Sequence, residues 1–359
     1  MRGFSRQAAA EVDPDTPAAP SGSKRSGRLG GVGRVVGFGL TLVFLVLAFQ
    51  RVDPAGFVDE LKGVNYVWLL PSALCTLVGY MLRTVRWQVI LSGAARAPLR
   101  TLFPVLMMGF ATNNVLPGRL GEFWRAYLLG RKRNVRKTLA LASVVVERVF
   151  DGLTLILLLL LVSETIQLPG WGRQIELLAA AIFLAAALGV VTLLWKPAVV
   201  QVPLRVVLHR FHGGLAAWIE ERFQAFVDGL GPLRRRRVLV GATLLSLGVW
   251  VFELGSYLAL SRGLNLSLGN LEVPGIGLAL VTINLGIMVP SGPGYVGTQE
   301  FFGTAALGVV GANAQAALAL VVVSHAIQYV VVTGLGLLFF AREQLSPRDL
   351  RPALAEQTP

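Results

Sequence analysis

The sequence predicts an all-α polytopic membrane protein with six transmembrane helices and two oppositely oriented re-entrant helical hairpins in an inverted-repeat arrangement. The composition gives the first observation: the mean hydropathy is +0.64 and only 15% of the 359 residues are charged, whereas a soluble domain carries roughly a quarter. Second, several apolar runs reach the ~20 residues that a helix needs to cross a bilayer. Third, two further apolar regions are each interrupted by a Pro/Gly kink that a glutamate follows.

Six uninterrupted apolar runs are long enough for full spans. They are Val32–Phe49, Val64–Leu91, Thr138–Val162, Gln174–Trp195, Val238–Leu260 and Asn313–Ala341. With the kinked regions they form one transmembrane domain over residues 32–341. Residues 1–31 lack a periodic apolar pattern and predict a disordered cytoplasmic tail, and residues 342–359 a second cytoplasmic tail. Residues 198–237 mix charged and apolar side chains at helical spacing, which is typical of an interfacial segment on the cytoplasmic face.

The two kinked regions are Leu99–Leu129 and Glu272–Gly311. Their interruptions read Asn113-Asn114-Val115-Leu116-Pro117-Gly118 and Val289-Pro290-Ser291-Gly292-Pro293-Gly294. Non-helical backbone at membrane depth is tolerated only where protein buries it or where it lines a wet cavity. Two such interruptions in corresponding positions of two halves point to the central site of a transporter.

The distribution of basic residues favours hairpins over broken spans. If both kinked regions are hairpins, 23 of the 33 Lys and Arg residues lie on one side, in the tails and in the loops that share that side. Only four lie in the opposite loops. The positive-inside rule then places both termini in the cytoplasm. Two inverted units follow, Val64–Val162 and Val238–Ala341, in what we expect to be a prokaryotic inner membrane.

Charged residues beside the first kink form a candidate anion site. Arg119, Glu122 and Arg125 are spaced by three, so they can share one side of a short helix. The N-terminus of that helix would point at the membrane centre, and helix N-termini attract anions. Arg presents a fork of donors that suits a lipid phosphate. The structural alternative is that Glu122 neutralises both arginines.

A second cluster, Glu147-Arg148-Val149-Phe150-Asp151, lies about ten residues into its span, near the expected bilayer midplane. Arg148 can reach Asp151 at i,i+3, while Glu147 has no partner on its own helix. A charge inside a span is a functional-site hypothesis by default. We therefore expect a functional role rather than a self-satisfied ion pair. Arg83 and Arg86, near the end of their span, are expected to extend to the interface.

Further polar residues complete the candidate substrate-binding site. Glycines in the second kink can let backbone N–H groups approach a ligand closely. Deep polar groups in the spans add to them, although each alone is more often an interhelical hydrogen-bonding group. These additional candidates are Asn113, Asn114, Glu253, Gly294, Gly297, Glu300 and His325.

Several function classes are excluded by what the sequence lacks. Cys75 is the only cysteine, and neither H-E-x-x-H nor G-x-S-x-G occurs, so we expect no metal, no cofactor and no catalytic residues. The sequence pI near 10.8 follows from the positive-inside bias, so we expect no nucleic-acid partner.

Three ordered motifs resemble the transmembrane domain of lysylphosphatidylglycerol synthases, whose stand-alone versions form a broad flippase-like family. The matching positions are Asn113, Pro117, Gly118, Arg119, Gly121, Glu122, Arg125, Ser143, Glu147, Arg148, Asp151, Pro290, Pro293, Gly294, Gly297 and Glu300. Tyr295 stands where the family pattern leads us to expect a second glycine. In the full-length synthases the membrane part is taken to flip an aminoacylated lipid that a separate soluble domain makes. That domain is expected to be absent here, so lysyl transfer is not implied.

The resemblance and the charge pattern together favour a lipid translocase for a phospholipid, an aminoacyl-phospholipid or a polyprenyl glycolipid. The expected partners are a membrane lipid with an anionic headgroup and a lipid-synthesising enzyme. Two other classes stay open. A secondary transporter of a small polar solute would have a closed site without a lateral opening. An intramembrane lipid-modifying enzyme would use Glu147 and Asp151 as acid and base.

Overall fold

The computed structural model describes residues 26–50, 52–92, 95–116, 119–133, 135–208, 213–288 and 291–343. These residues form helices joined by short turns, which confirms the all-α class for the described chain. The helices are α1 (Ser26–Phe49), α2 (Pro54–Lys62), α3 (Leu69–Leu91), α4 (Leu99–Val115), α5 (Leu120–Arg133), α6 (Lys137–Ser163), α7 (Gly170–Trp195), α8 (Ala198–Leu208), α9 (Gly213–Leu230), α10 (Arg236–Gly263), α11 (Glu272–Gly286), α12 (Thr298–Val309), α13 (Ala314–Gln328) and α14 (Gly334–Arg342). A π-helical turn, Tyr329–Thr333, joins α13 to α14.

Some predicted features lie outside the described residues. They are the kink residues Pro117, Gly118 and Pro290, residues 1–25 of the first predicted tail, and residues 344–359 of the second. The first helix begins at Ser26, earlier than the predicted first span.

Four helical segments of the described chain are long and apolar enough to cross a membrane. They are Tyr66–Leu91, Gly172–Trp195, Arg236–Gly263 and Ala314–Arg342. A fifth is added if Phe38–Phe49 and Pro54–Lys62, which meet at a bend of 83°, form one span. Helix α6 has the length of a span, but every 18-residue stretch of it contains Glu147, Arg148 and Asp151. Those three charges lower its apolarity at the position where the candidate site was predicted.

Each kinked region folds back on itself as a pair of antiparallel helices. In the first pair, α4 and α5 pack so closely that a Cβ on Gly121 would lie 1.8 Å from the Gly109 carbonyl oxygen. The Gly121 N–H also donates to Asn113 Oδ1 at 2.8 Å. In the second pair, a Cβ on Gly303 of α12 would lie 2.9 Å from Ile283 Cδ1 of α11. Glycine is therefore needed where the arms of each pair meet.

The two helix pairs open at opposite ends of α3. Gln88, near the end of α3, donates from Nε2 to the Ala97 carbonyl at 2.8 Å, just before α4 begins. The Asn65 N–H, just before α3, donates at 2.8 Å to the carbonyl of Gly263 at the end of α10. The chain enters α11 shortly after that point. The start of α4 and the start of α11 therefore lie near opposite ends of α3.

The packing of the two halves follows an approximate two-fold exchange. Helices α3 and α10 pack against each other. In this exchange α3 corresponds to α10, α4 to α11, α5 to α12, and α6 to α13 with α14. The α4–α5 contact then corresponds to the α11–α12 contact, and the α5–α6 contact to the α12–α13 contact. The contact between α6 and α11 likewise corresponds to the contact between α14 and α4. This arrangement brings the inner ends of both helix pairs to one place beside α6 and α13.

Candidate functional site

A polar cavity of about 220 Å³ lies where the two helix pairs meet. Its walls come from both pairs and from α3, α6, α10 and α13. Nine of the predicted site residues line it: Asn113, Asn114, Arg119, Glu122, Arg148, Asp151, Glu253, Gly294 and His325. Arg125, Glu147, Gly297 and Glu300 are not among its lining residues.

Asp151 on α6 is the centre of a buried charge network. Arg86 Nη1 lies 2.6 Å from Asp151 Oδ1, and Arg83 Nη1 lies 3.4 Å from Oδ2. Arg148 Nη1 approaches Oδ2 at 3.7 Å, which is the i,i+3 contact that the sequence predicted. The expectation that Arg83 and Arg86 extend to the interface is wrong. Both arginines are buried, because they are three residues apart on the face of α3 that packs against α6 and α10.

Two further carboxylates complete the network on the cavity wall. Glu122 Oε1, on the first helix pair, lies 3.4 Å from Arg148 Nε on α6. Glu253 Oε2, on α10, lies 3.8 Å from Arg83 Nη2 and its other oxygen accepts a hydrogen bond from Gln328 on α13. Each carboxylate thus has an arginine partner from another helix, as buried charges require.

Arg119 differs from the other cations of the cavity because no carboxylate of the described residues lies within 4 Å of it. Its Nη2 donates to the Ile287 carbonyl at the end of α11 at 2.8 Å, and its guanidinium lies 5.8 Å from the Tyr295 ring. Both residues have positive φ, 53° for Arg119 and 61° for Tyr295. Left-handed backbone is costly for non-glycine residues and is often kept at ligand-binding turns. Arg119 therefore presents a guanidinium without a direct carboxylate partner among the described residues where the two pairs touch.

Gln299 contributes a second open hydrogen-bonding group. Its side chain lines the cavity and is buried, and its Nε2 has no hydrogen-bond partner among the described residues. A buried donor without a partner costs roughly 1–3 kcal/mol. A ligand oxygen in the cavity could accept from it. Arg119 and Gln299 together provide donors from both helix pairs.

Sequence reasoning missed several residues that line the cavity. They are Tyr80, Arg83, Asn284, Tyr295, Gln299 and Tyr329. Gln299 directly precedes the predicted Glu300 in the second kinked region. A polar residue at that position of an apolar region could have been identified as a candidate. Arg83 was visible as an intramembrane charge, but its partners on α6 and α10 are distant in sequence.

Arg125 and Glu147 form a buried ion pair, and neither residue lines the cavity. Arg125 Nη2 lies 2.7 Å from Glu147 Oε2, and both side chains are 2% exposed. The Arg125 guanidinium also lies 4.2 Å from the Trp87 ring. Glu147 therefore has a partner, supplied by α5 rather than by its own helix. Arg125 does not share a face with Arg119, because α5 begins after Arg119 and turns Arg125 towards α3 and α6.

Glu300 and Gly297 build the turn of the second pair and do not line the cavity. Glu300 Oε2 accepts from the Gly297 N–H at 2.6 Å, and Oε1 lies 2.6 Å from His325 Nδ1. His325 Nε2 donates to the Gly294 carbonyl at 2.8 Å, since a carbonyl oxygen can only accept. Gly297, with φ of 82°, is pressed against the backbone of α1, where a Cβ would lie 2.6 Å from the Thr41 carbonyl oxygen. Both carboxylate oxygens of Glu300 are thus bonded to Gly297 and His325.

Comparison with known proteins gives relatives over most of the chain. The chain is 27% identical over 336 residues to "Glycosyltransferase AglD" of Haloferax volcanii, covering 84% of this chain and 53% of that protein. The chain thus spans about half the length of that relative. It is 28% identical to a "UPF0104 membrane protein" of Methanothermobacter thermautotrophicus, covering 83% of this chain and 89% of the relative. No solved structure matches the chain.

A family model described as the lysylphosphatidylglycerol synthase TM region matches residues 34–336. That range contains the polar cavity and both helix pairs. This protein therefore belongs to the family of the lysylphosphatidylglycerol synthase transmembrane region.

Proposed function

We propose that this protein is a lipid translocase of a prokaryotic inner membrane that passes a phosphate-bearing headgroup through the polar cavity. Arg119 is the observation that carries the proposal. It lines the cavity, bears a charge that no carboxylate of the described residues balances, and sits where the two helix pairs touch. Arginine is well suited to bind a phosphate through its fork of donors. Gln299 adds an open donor from the other pair.

The mixed charge of the cavity supports a headgroup with groups of both signs. Three arginines and three carboxylates line it: Arg83, Arg119, Arg148, Glu122, Asp151 and Glu253. Membership in the family supports an aminoacyl-phospholipid or a phospholipid, and a relative named as a glycosyltransferase keeps a polyprenyl glycolipid among the candidates. A lipid-synthesising enzyme would then be the natural partner.

We place the protein with six spans, two re-entrant hairpins and both termini in the cytoplasm. The contacts that join the Arg-rich ends support a common side. Lys132 at the end of α5 pairs with Glu343 after α14, and Arg133 Nη2 donates to Thr101 Oγ1 at the start of α4 at 2.7 Å. Arg234 before α10 hydrogen-bonds to the carbonyl of Leu194 at the end of α7. A hairpin whose entrance and exit lie on this side is re-entrant.

The two rival classes receive less support from the site. An acid–base enzyme would need free carboxyl groups, but Glu147 is paired with Arg125 and Asp151 with three arginines. Membership in the family of the lysylphosphatidylglycerol synthase transmembrane region supports a lipid over a small polar solute. We therefore assign transport of a lipid, driven by the membrane potential, a proton gradient or the lipid gradient itself.

Transfer of fluorescent lipids in reconstituted vesicles tests the proposal. Phosphatidylglycerol and a polyprenyl phosphate, each with a dithionite-sensitive fluorophore, would report movement between leaflets. Arg119→Ala should abolish transfer and lower the melting temperature only slightly, because among the described residues the change breaks no ion pair and loses one hydrogen bond, to the Ile287 carbonyl. Arg119→Lys should retain part of the activity, since it keeps the charge and loses the fork.

The matched control is Arg237→Ala, which removes an exposed arginine outside the cavity. Its transfer rate should equal that of the wild type. Wild-type transfer by Arg119→Ala in both lipid assays would show that the cavity does not conduct a phosphate headgroup.

A further inference from the structure

A second cavity, apolar and about 350 Å³ in volume, lies between α7 and the α11–α12 pair. Helix α6 forms its floor, because α6 packs against α7 on one side and α11 on the other. We call this cavity the apolar groove. Its walls include Ile175, Leu178 and Ile182 from α7 and Phe302 from α12. These side chains offer hydrocarbon surface without charge.

The apolar groove meets the polar cavity at two residues, Phe183 and Met288, which line both. Phe183 lies flat on α6 at Gly152, where a Cβ would be 1.9 Å from its Cδ1 atom. Gly152 directly follows Asp151, the centre of the charge network. Among the described residues, the Phe183 ring and the Met288 side chain are therefore the groups shared by the charged cavity and the groove.

The groove also opens to the outside of the helix bundle. On its rim Leu178 is 62% exposed, Ile182 is 52% exposed and Met288 is 46% exposed. In a protein whose α7 crosses the membrane, such side chains face lipid tails. The groove thus extends from the outside of the helix bundle to Phe183, and the polar cavity with Asp151 lies on the other side of that ring.

We infer that the apolar groove holds one hydrocarbon chain of the same lipid whose headgroup occupies the polar cavity. This inference rests on the proposed function and adds the entry route and the position of one hydrocarbon chain. Because the two cavities adjoin at Phe183 and Met288, a headgroup in one places its own chain at the other, which favours this occupant over an unattached bilayer lipid. Because bilayer tails are as apolar as the groove, the groove contributes direction and position rather than affinity. Phe183 and Met288 are the positioning residues at the junction.

Photolabelling with a matched pair of probes tests the inference. The first probe is a dodecyl phosphate with a diazirine on its chain, and the second is the uncharged dodecanol with the same diazirine. Both are added to the full-length protein in phosphatidylcholine nanodiscs, and labelled peptides are identified by mass spectrometry. The phosphate probe should label the groove at least about tenfold more than the alcohol, and Arg119→Ala should remove that difference.

Ala179→Leu fills the groove from its α7 wall, and Ala181→Leu is its control on an exposed position of the same helix that does not line the groove. Groove labelling should fall about tenfold in the first variant and stay unchanged in the second. Gly172→Leu provides a second groove variant in case Ala179→Leu fails to fold, since its nearest atom to a new Cβ is 3.4 Å away.

Equal groove labelling by phosphate and alcohol, with transfer still dependent on Arg119, would overturn the inference and leave the proposed translocase intact. Protein–protein crosslinks through the groove would assign it to a second copy of the chain and overturn it as well. Loss of Arg119 dependence in the transfer assay would instead refute the proposed function. Phosphate-dependent labelling that Ala179→Leu removes would support the inference.

Discussion

The two helix pairs carry similar motifs but use their glutamates differently. Glu122 of the α4–α5 pair lines the cavity, where Arg148 of α6 lies 3.4 Å away, and its side chain is 24% exposed. Glu300 of the α11–α12 pair lies in the first turn of α12 and bonds to Gly297 and His325 of its own half. The first pair therefore presents charge to the cavity, whereas the second uses its charge to hold its own turn. A shared Pro-Gly-Glu pattern does not imply a shared role.

The largest loss of stability is expected from breaking the Arg125–Glu147 ion pair, which joins the first helix pair to α6. Arg125→Ala should destabilise the protein by roughly 3–5 kcal/mol, because it leaves Glu147 buried and unpaired. Thermal unfolding in detergent would measure the loss. Transport should fall only in proportion to the folded fraction.

The double variant Arg125→Ala with Glu147→Ala is the control for that pair. Removing both charges should recover part of the stability. A stable Arg125→Ala protein that has lost transport would contradict the structural assignment of this pair and return Arg125 to the binding site.

A glycine-to-alanine change where the two arms meet should destabilise the first pair more than the second. Gly121→Ala places a Cβ 1.8 Å from a backbone oxygen of the other arm. Gly303→Ala meets Ile283 Cδ1 of the other arm at 2.9 Å and Val321 Cγ2 of α13 at 2.6 Å, and both are side chains that can move. Overpacking costs about 1–3 kcal/mol and more where backbone must shift. The melting temperature should fall further for Gly121→Ala. Equal losses would show that the arms of the first pair separate freely.

The two glutamates offer a direct test of their different roles. Glu300→Ala should cost more than the about 0.5–2 kcal/mol of a lost helix N-cap interaction, because it also leaves His325 Nδ1 without its carboxylate partner. Transport should follow the folded fraction. Glu122→Ala should change stability less and reduce transport beyond any loss of folding. Glu164→Ala, on an exposed residue outside both pairs, is the control. The comparison fails if Glu300→Ala is fully folded and inactive.

The smallest effect is expected where α13 touches the first pair. The Tyr329 hydroxyl donates to the Asn114 carbonyl at 2.8 Å. Tyr329→Phe should cost about 0.5–1.5 kcal/mol, the value of one hydrogen bond. Measured unfolding of Tyr329→Phe beside that of Tyr66→Phe, whose hydroxyl binds an exposed carbonyl, would isolate the buried bond. No difference between the two would mean that water replaces Asn114 as the partner.

Sequence patterns predicted the helical class, the interruption of the two kinked regions and five of the six charged residues that line the cavity, because apolar length, Pro/Gly kinks and intramembrane charges are local signals. They could not predict the pairing of Arg125 with Glu147, since i,i+3 and i,i+4 rules compare residues on one helix. The same limit concealed the bonds from Arg83 and Arg86 to Asp151. Phe183 was invisible for another reason: α7 is apolar along most of its length, so no residue in it stands out.

The π turn at Tyr329–Thr333 has a consequence for how this segment can vary. An α-helix rotates by about 100° for each residue, and a π turn accommodates one residue more than an α turn. The turn therefore determines how far α14 is rotated about its own axis relative to α13, and so which face of α14 meets its neighbours. Beyond it, Gly336 lies against α4, where a Cβ would be 2.4 Å from Ala111 Cβ. Deleting one residue from the π turn would rotate the Gly336 face of α14 away from α4. The length of this turn is therefore more tightly constrained than the identity of its residues.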